Sequence, residues 1–153
     1  MSQLTIGDKA PTFSLSDQNE KSVALSSYQG QKLLVYFYPR ANTPGCTTQS
    51  CAVSEALPRL SDLGIAAVGI SPDKPAAQKK FDEKYSLGFP LLSDPDLATA
   101  KAFGAFGIKN LYGKKKEGII RSAFLIDEAG KLMGVWYKVK PDATVPNALA
   151  ALE

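Results

Sequence analysis

The chain has 153 residues, of which 44% are hydrophobic and 22% charged, and its formal net charge is +3. This length predicts a single domain over residues 1–153, and the composition excludes a disordered tail, a collagen-like rod and a disulfide-dense scaffold. The small charge does not favour nucleic acid or a membrane surface as a partner. The longest apolar run, residues 33–38, is far below the roughly 20 residues of a membrane span. No signal peptide is visible at the start, so we expect a cytoplasmic protein.

Two features of the composition restrict the chemistry that the chain can perform. It contains no histidine, which excludes Ser-His-Asp and Cys-His machinery and the usual catalytic zinc sites. Its two cysteines are Cys46 and Cys51. Two thiolates alone cannot complete a structural zinc or iron–sulfur site, and a structural disulfide is not expected in a reducing compartment.

The first half of the chain predicts a hairpin followed by a strand–helix–strand unit. Residues 12–15 and 22–25 alternate with period two around a polar turn, which is typical of a hairpin. The apolar runs 32–38 and 65–71 predict strands that are covered on both faces. Residues 44–63, between those runs, carry apolar side chains at helical spacing. The unit therefore predicts a parallel pair of strands with a right-handed crossover.

The second half predicts three helices and three strands. We expect the helices at 75–85, 97–103 and 144–152, and the strands at 90–93, 119–126 and 131–138. The last two strands are joined by a hairpin turn. The three-lysine run 114–116 is interpreted as a loop, because no net charge supports a nucleic-acid patch. This order of elements predicts an α/β, thioredoxin-like fold with an N-terminal β-hairpin extension.

The segment with the strongest functional signal links the first central strand to the long helix. Open α/β sheets place their active sites beyond the carboxyl ends of strands, where this segment lies. We predict that Thr43 caps the helix, that Pro44 takes its first position and that Cys46 takes its third. Free backbone N–H groups and the helix dipole favour a reactive thiolate there. The alternative is a buried cysteine that acts only as a small hydrophobic residue.

Residues 36–51 read YFYPRANTPGCTTQSC and contain the pattern P-x-x-x-T-x-x-C. This segment resembles the active-site loop of peroxiredoxins, and above all that of the bacterioferritin comigratory protein or PrxQ subfamily. Further matches are GDKAPTF at 7–13, VGIS at 68–71 and GIIRSAFLID at 118–127. The resemblance therefore extends over nearly the whole chain.

The resemblance implies a role for five residues. Cys46 corresponds to the peroxidatic cysteine, which attacks the peroxide and becomes a sulfenic acid. Thr43 corresponds to the threonine that contacts the thiolate and the peroxide, and Pro39 to the proline that shields the sulfur from water. Arg121 corresponds to the arginine that holds the thiolate and polarises the peroxide, although the residue alone could be an exposed strand charge. Cys51 corresponds to the resolving cysteine, which forms an intramolecular disulfide with Cys46.

The implied activity is reduction of hydrogen peroxide and alkyl hydroperoxides, with thioredoxin, glutaredoxin or a similar dithiol donor as the reductant. It requires neither a metal nor a cofactor, and the subfamily predicts a monomer. A thioredoxin-like disulfide reductase is one alternative, but it requires Cys-x-x-Cys rather than the Cys-x-x-x-x-Cys found here. A non-enzymatic binding module on the same fold is another.

The chain departs from its relatives at three positions beside the cysteines. Gln49 occupies a site that is frequently Glu, so we expect a carboxylate–arginine bond from there to be absent or weaker. Ser54 and Glu55 stand where relatives often have Arg and Asp. These departures concern the groups around the reacting sulfur and leave the implied reaction unchanged.

Overall fold

The computed structural model of the protein describes residues 3–111 and 113–152, without the side chains of residues 109–111. Its strands are β1 Ser14–Ser16, β2 Ser22–Ala24, β3 Lys32–Phe37, β4 Ile65–Ser71, β5 Leu91–Ser93, β6 Phe106–Leu111, β7 Lys114–Ile119, β8 Ser122–Ile126 and β9 Leu132–Trp136. Its α-helices are α1 Pro44–Asp62, α2 Pro75–Tyr85, α3 Ala98–Ala102 and α4 Thr144–Ala150. In the part of the chain so described, no helix has the length and apolar character needed to cross a membrane.

Seven of the strands form one sheet in the order β2-β1-β5-β4-β3-β8-β9. The pairs β3–β4 and β4–β5 are parallel, and the other neighbours are antiparallel. Strand β3 lies between β4 and β8, so both of its edges are hydrogen-bonded. The predicted N-terminal hairpin, the parallel strand–helix–strand unit and the α/β class are confirmed.

Helices cover both faces of the sheet, and β3 together with Tyr38, the residue after it, contributes alternate side chains to two cores. Leu34, Tyr36 and Tyr38 belong to one buried cluster, together with residues of α1, α2 and α4. Leu33, Val35 and Phe37 belong to the other cluster, which includes Ala100 of α3. All six side chains are completely buried, which explains why the strand has an unbroken apolar sequence. The C-terminal end of β3 is thus rigidly held where the active-site segment begins.

The structure differs from the prediction between residues 106 and 121. Strands β6 and β7 form a separate antiparallel ribbon, and the three-lysine run lies in β7 rather than in a loop. The predicted strand 119–126 is wrong at its start, because Ile119 ends β7 and β8 begins only at Ser122. Lys114, Lys115 and Lys116 are all exposed. Strand β7 reads KKKEGI and is exposed from Lys114 to Glu117, so it has no apolar alternation that a sequence pattern could reveal.

Candidate active site

Helix α1 begins at the predicted position and carries Cys46 in its first turn. Thr43 has extended backbone angles (φ −96°, ψ 157°) and is the N-cap, Pro44 is the first helical residue, and Cys46 is completely buried. The first intrahelical bond joins the amide of Thr47 to the carbonyl of Thr43 at 2.8 Å. The hydroxyl of Thr43 does not cap the helix but donates to the carbonyl of Arg40 at 2.9 Å. The helix thus presents its N-terminal dipole to the buried thiol.

Arg121 brings a positive charge to this sulfur. Its Nη2 lies 3.4 Å from Sγ of Cys46, and its Nη1 donates to Oε1 of Gln49 at 2.7 Å. The amide nitrogen of Gln49 in turn donates to Oγ1 of Thr144 at 2.9 Å. Gln49 and Thr144 are completely buried. The guanidinium is therefore held in place by Gln49, which is itself held by Thr144. A positive group held in this way can stabilise negative charge on sulfur or on a bound oxygen.

The short break between two strands directs Arg121 toward the site. Strand β7 ends at Ile119 and β8 begins at Ser122, so Arg121 lies outside the regular alternation of both strands. Its carbonyl accepts a hydrogen bond from the amide of Val139 at 2.9 Å. The side chain is half-buried and bonded at both terminal nitrogens. The alternative of an exposed strand charge is excluded.

Gly45 leaves the space that the guanidinium occupies. A Cβ atom at this position would lie 3.1 Å from Nη2 of Arg121 and 3.5 Å from Cγ of Pro141. The first distance is tighter than an ordinary van der Waals contact, so a larger residue would press on the arginine. A larger residue at position 45 would therefore make the guanidinium shift by a few tenths of an ångström away from its place beside Cys46.

Cys51 lies on the same helix, five residues after Cys46. Its side chain is half-buried, and both cysteines are free thiols. Burial raises the pKa of the Cys51 thiol, and the negative charge of Glu55 raises it further. Nearby, the hydroxyl of Ser54 donates to the carbonyl of Leu87 at 2.7 Å and so ties α1 to the segment after α2. Of the two departures later on this helix, Ser54 thus bonds to the backbone after α2, and Glu55 acts on the Cys51 thiol through its charge.

The AhpC/TSA family model matches residues 6–135. The chain belongs to the AhpC/TSA family. The Escherichia coli (strain K12) peroxiredoxin Bcp is 47% identical over 136 residues, which cover 89% of this chain and 87% of that protein. A structure of the Xanthomonas campestris bacterioferritin comigratory protein is 36% identical with a TM-score of 0.85, over 92% of this chain and 89% of that one. A structure of a Xylella fastidiosa PrxQ variant is 31% identical with a TM-score of 0.91, and the match covers 99% of this chain and 97% of that one.

These relatives confirm the resemblance and the thioredoxin-like fold that the residues predicted. The contact between position 49 and the arginine agrees with the expectation from the sequence. Gln49 accepts from Arg121 at 2.7 Å through a neutral amide oxygen, so a bond is present but it is not a carboxylate–arginine bond. Pro39 lies two residues after the end of β3 and is half-buried, beside the exposed Arg40.

The sequence did not identify the groups that hold the loop of the peroxiredoxin in place. The amide of Ala41 donates to Oδ2 of Asp73 at 2.6 Å, and the hydroxyl of Ser71 donates to the same oxygen at 2.7 Å. Asn42 adopts a left-handed backbone (φ 62°), and its Oδ1 accepts from the hydroxyl of Tyr85 at 3.3 Å. The matched stretch VGIS, which ends at Ser71, was the available signal, but its spacing does not indicate what it contacts.

Proposed function

We propose that this peroxiredoxin is a thiol-dependent peroxidase that reduces hydrogen peroxide and alkyl hydroperoxides at Cys46. One observation carries the proposal: a buried thiol lies in the first turn of α1, with an arginine Nη2 at 3.4 Å from its sulfur. The Xanthomonas campestris relative is described by its alkyl peroxide reduction activity, which supports alkyl hydroperoxides as substrates here.

In the first step the Cys46 thiolate attacks one oxygen of the peroxide. The S–O bond forms as the O–O bond breaks, and the other oxygen leaves as water or an alcohol after taking up a proton. The guanidinium of Arg121 stabilises the negative charge that develops on the oxygens. Thr43, the N-cap of the same helix, is proposed to contact the peroxide. Pro39, in the loop before the helix, is proposed to shield the sulfur from water. The product is a sulfenic acid on Cys46.

In the second step Cys51 resolves the sulfenic acid. Its thiolate attacks the Cys46 sulfur, the S–O bond breaks, and the oxygen leaves as water while an intramolecular disulfide forms. Five residues of α-helix separate two Cα atoms by roughly 8–9 Å, whereas a disulfide needs about 4.4–6.8 Å. Helix α1 contains both cysteines, so its first turns must unwind in every catalytic cycle. A dithiol donor such as thioredoxin or glutaredoxin then reduces the disulfide.

A steady-state assay tests this function directly. The purified protein is given hydrogen peroxide or cumene hydroperoxide, with dithiothreitol, thioredoxin or glutaredoxin as the reductant in parallel reactions. We expect peroxide consumption with dithiothreitol and with at least one of the protein donors. Insulin-disulfide reduction without peroxide consumption would instead indicate a disulfide reductase, and neither activity would indicate a binding module.

The remaining features of the proposal concern the protein as a whole. We propose that residues 1–153 act as one peroxiredoxin domain, as a monomer, in the cytoplasm. Light scattering of the reduced and the oxidised protein tests the monomer, and a dimer in both states would contradict it.

A further inference from the structure

The segment between the two cysteines is attached to the rest of the protein by buried polar side chains. Of its four residues, Gln49 and Ser50 are completely buried. Gln49 is bonded to Arg121 and Thr144, as described above. The hydroxyl of Ser50 lies 2.7 Å from the hydroxyl of Tyr36, and this bond is also buried. If the segment unwinds, these bonds have to break or move with it.

Tyr36 is held so that its hydroxyl faces Ser50. The residue lies in the middle of β3, opposite Gly69 of β4. A Cβ atom on Gly69 would be 2.7 Å from the Tyr36 hydroxyl oxygen, so only glycine leaves room for the end of this ring. The ring also stacks on Tyr38 with centroids 5.5 Å apart and meets the edge of Phe89 at 6.1 Å. The packing around Tyr36 thus fixes the position of its hydroxyl.

The environment also keeps the hydroxyl of Tyr36 protonated. The side chain is completely buried, and burial raises its pKa far above the ordinary value for tyrosine. A neutral phenol can donate to or accept from Ser50, and a buried polar group that loses its partner is costly. The bond therefore stabilises the helical form of α1 relative to an unwound form in which Ser50 has moved away.

We propose that the hydrogen bond between Tyr36 and Ser50 restrains the unwinding of α1 and thereby sets the rate at which Cys51 resolves the Cys46 sulfenic acid. The inference rests on the proposed function. Tyr36 is thus a positioning residue: it acts on the cysteine segment and takes no part in breaking the O–O bond.

This restraint decides between two fates of the sulfenic acid. In one, Cys51 attacks the Cys46 sulfur, a disulfide forms and water leaves. In the other, a second peroxide oxidises the sulfenic acid to sulfinic acid and is itself reduced to water or an alcohol. More of the sulfenic acid is oxidised to sulfinic acid when α1 stays helical for longer. Loss of the hydrogen bond should therefore speed disulfide formation and protect the enzyme from inactivation by excess peroxide.

The chain offers a matched pair of variants to test this. Tyr36→Phe removes the hydroxyl that is bonded to Ser50. Tyr38→Phe removes a hydroxyl two residues further along the chain in the same buried cluster, but that hydroxyl donates to Gln78 of α2, at 2.5 Å. The protein is mixed rapidly with peroxide while the fluorescence of its single tryptophan is recorded. One trace then reports both sulfenic acid formation and disulfide formation. Trp136 packs against the cluster that contains Cys46. Mass spectrometry of quenched samples assigns the sulfenic, disulfide and sulfinic forms.

We expect Tyr36→Phe to speed disulfide formation roughly three- to tenfold, the factor that the net contribution of one hydrogen bond gives. The first peroxide step should be unchanged, and less sulfinic acid should form at high peroxide. Tyr38→Phe should leave the rate of disulfide formation within about twofold of the original protein. An unchanged or slower resolving step in Tyr36→Phe, or the same gain in both variants, overturns the proposal.

Two further measurements separate this effect from a general loss of stability. Thermal unfolding of the reduced proteins shows whether either variant is globally weakened. Ser50→Ala and the double variant Tyr36→Phe/Ser50→Ala complete a double-mutant cycle, which isolates the coupling between the two hydroxyls from the higher helix propensity of alanine. Absence of coupling in the resolving rate refutes the role of the bond. Absence of the first peroxide step in the original protein refutes the proposed function instead.

Discussion

Oxidation of the two cysteines should unwind the start of helix α1, and the extent can be calculated. The four α-helices contain 19, 11, 5 and 7 residues. Two turns of helix are about seven residues, so their loss removes about a sixth of the helical residues. The buried bonds of Gln49 and Ser50 to Arg121, Thr144 and Tyr36 lie in this segment. Their loss adds a change in side-chain packing to the loss of helix.

Far-ultraviolet circular dichroism and amide hydrogen exchange measure this change. The reduced protein is compared with protein that has been treated with one equivalent of peroxide. Helical ellipticity should fall by about a sixth, and amides across residues 47–54 should exchange at least about tenfold faster in the disulfide form. Helix α2, which contains neither cysteine, serves as the internal reference and should keep its protection. Cys51→Ser, which cannot form the disulfide, should keep its protection at 47–54 after the same treatment.

Equal protection of residues 47–54 in both forms, with the disulfide verified by mass spectrometry, would refute the reasoning. It would mean that the two sulfur atoms meet without unwinding, which a regular helix does not permit. Loss of protection in Cys51→Ser as well would show that formation of the sulfenic acid, rather than the disulfide, opens the helix.

Three further predictions concern single side chains. Arg121→Ala should slow peroxide reduction by roughly 10²–10³-fold, the effect of losing one oriented donor. The control Arg40→Ala removes an exposed arginine and should change the rate of peroxide reduction little. Equal losses of rate in the two variants would contradict the role of Arg121. Cys46→Ser should abolish peroxide reduction, whereas Cys51→Ser should keep the first turnover, lose recycling by thioredoxin and form more sulfinic acid; loss of the first turnover in both would mean that the roles are wrong. Disulfide formation should become faster as the pH rises through and above neutrality, because burial and Glu55 raise the pKa of Cys51 and its thiolate is the attacking form. Glu55→Gln should lower that pKa and speed the step at pH 7, and a flat pH profile would refute this explanation.

The sequence by itself determined the α/β class, the parallel strand–helix–strand unit and the place of Cys46 at the start of α1. These features depend on local signals: unbroken apolar runs, helical spacing, and a Thr-Pro pair at a helix start. The same signals predicted the bounds of β4 and α2 correctly. They could not predict the ribbon of β6 and β7, because the exposed residues Lys114 to Glu117 of β7 carry no apolar period.

The family resemblance pairs Arg121 with Cys46, but only the tertiary structure decided how that arginine is held and which side chains anchor the segment after Cys46. Arg121 reaches Cys46 across 75 positions of sequence, and Gln49 reaches Thr144 across 95. The bond of Tyr36 to Ser50 depends on the absence of a side chain at Gly69 in the neighbouring strand. Such contacts arise from the packing of a strand break, two helices and a sheet against one another. No local period specifies that packing, so it is read from the folded protein alone.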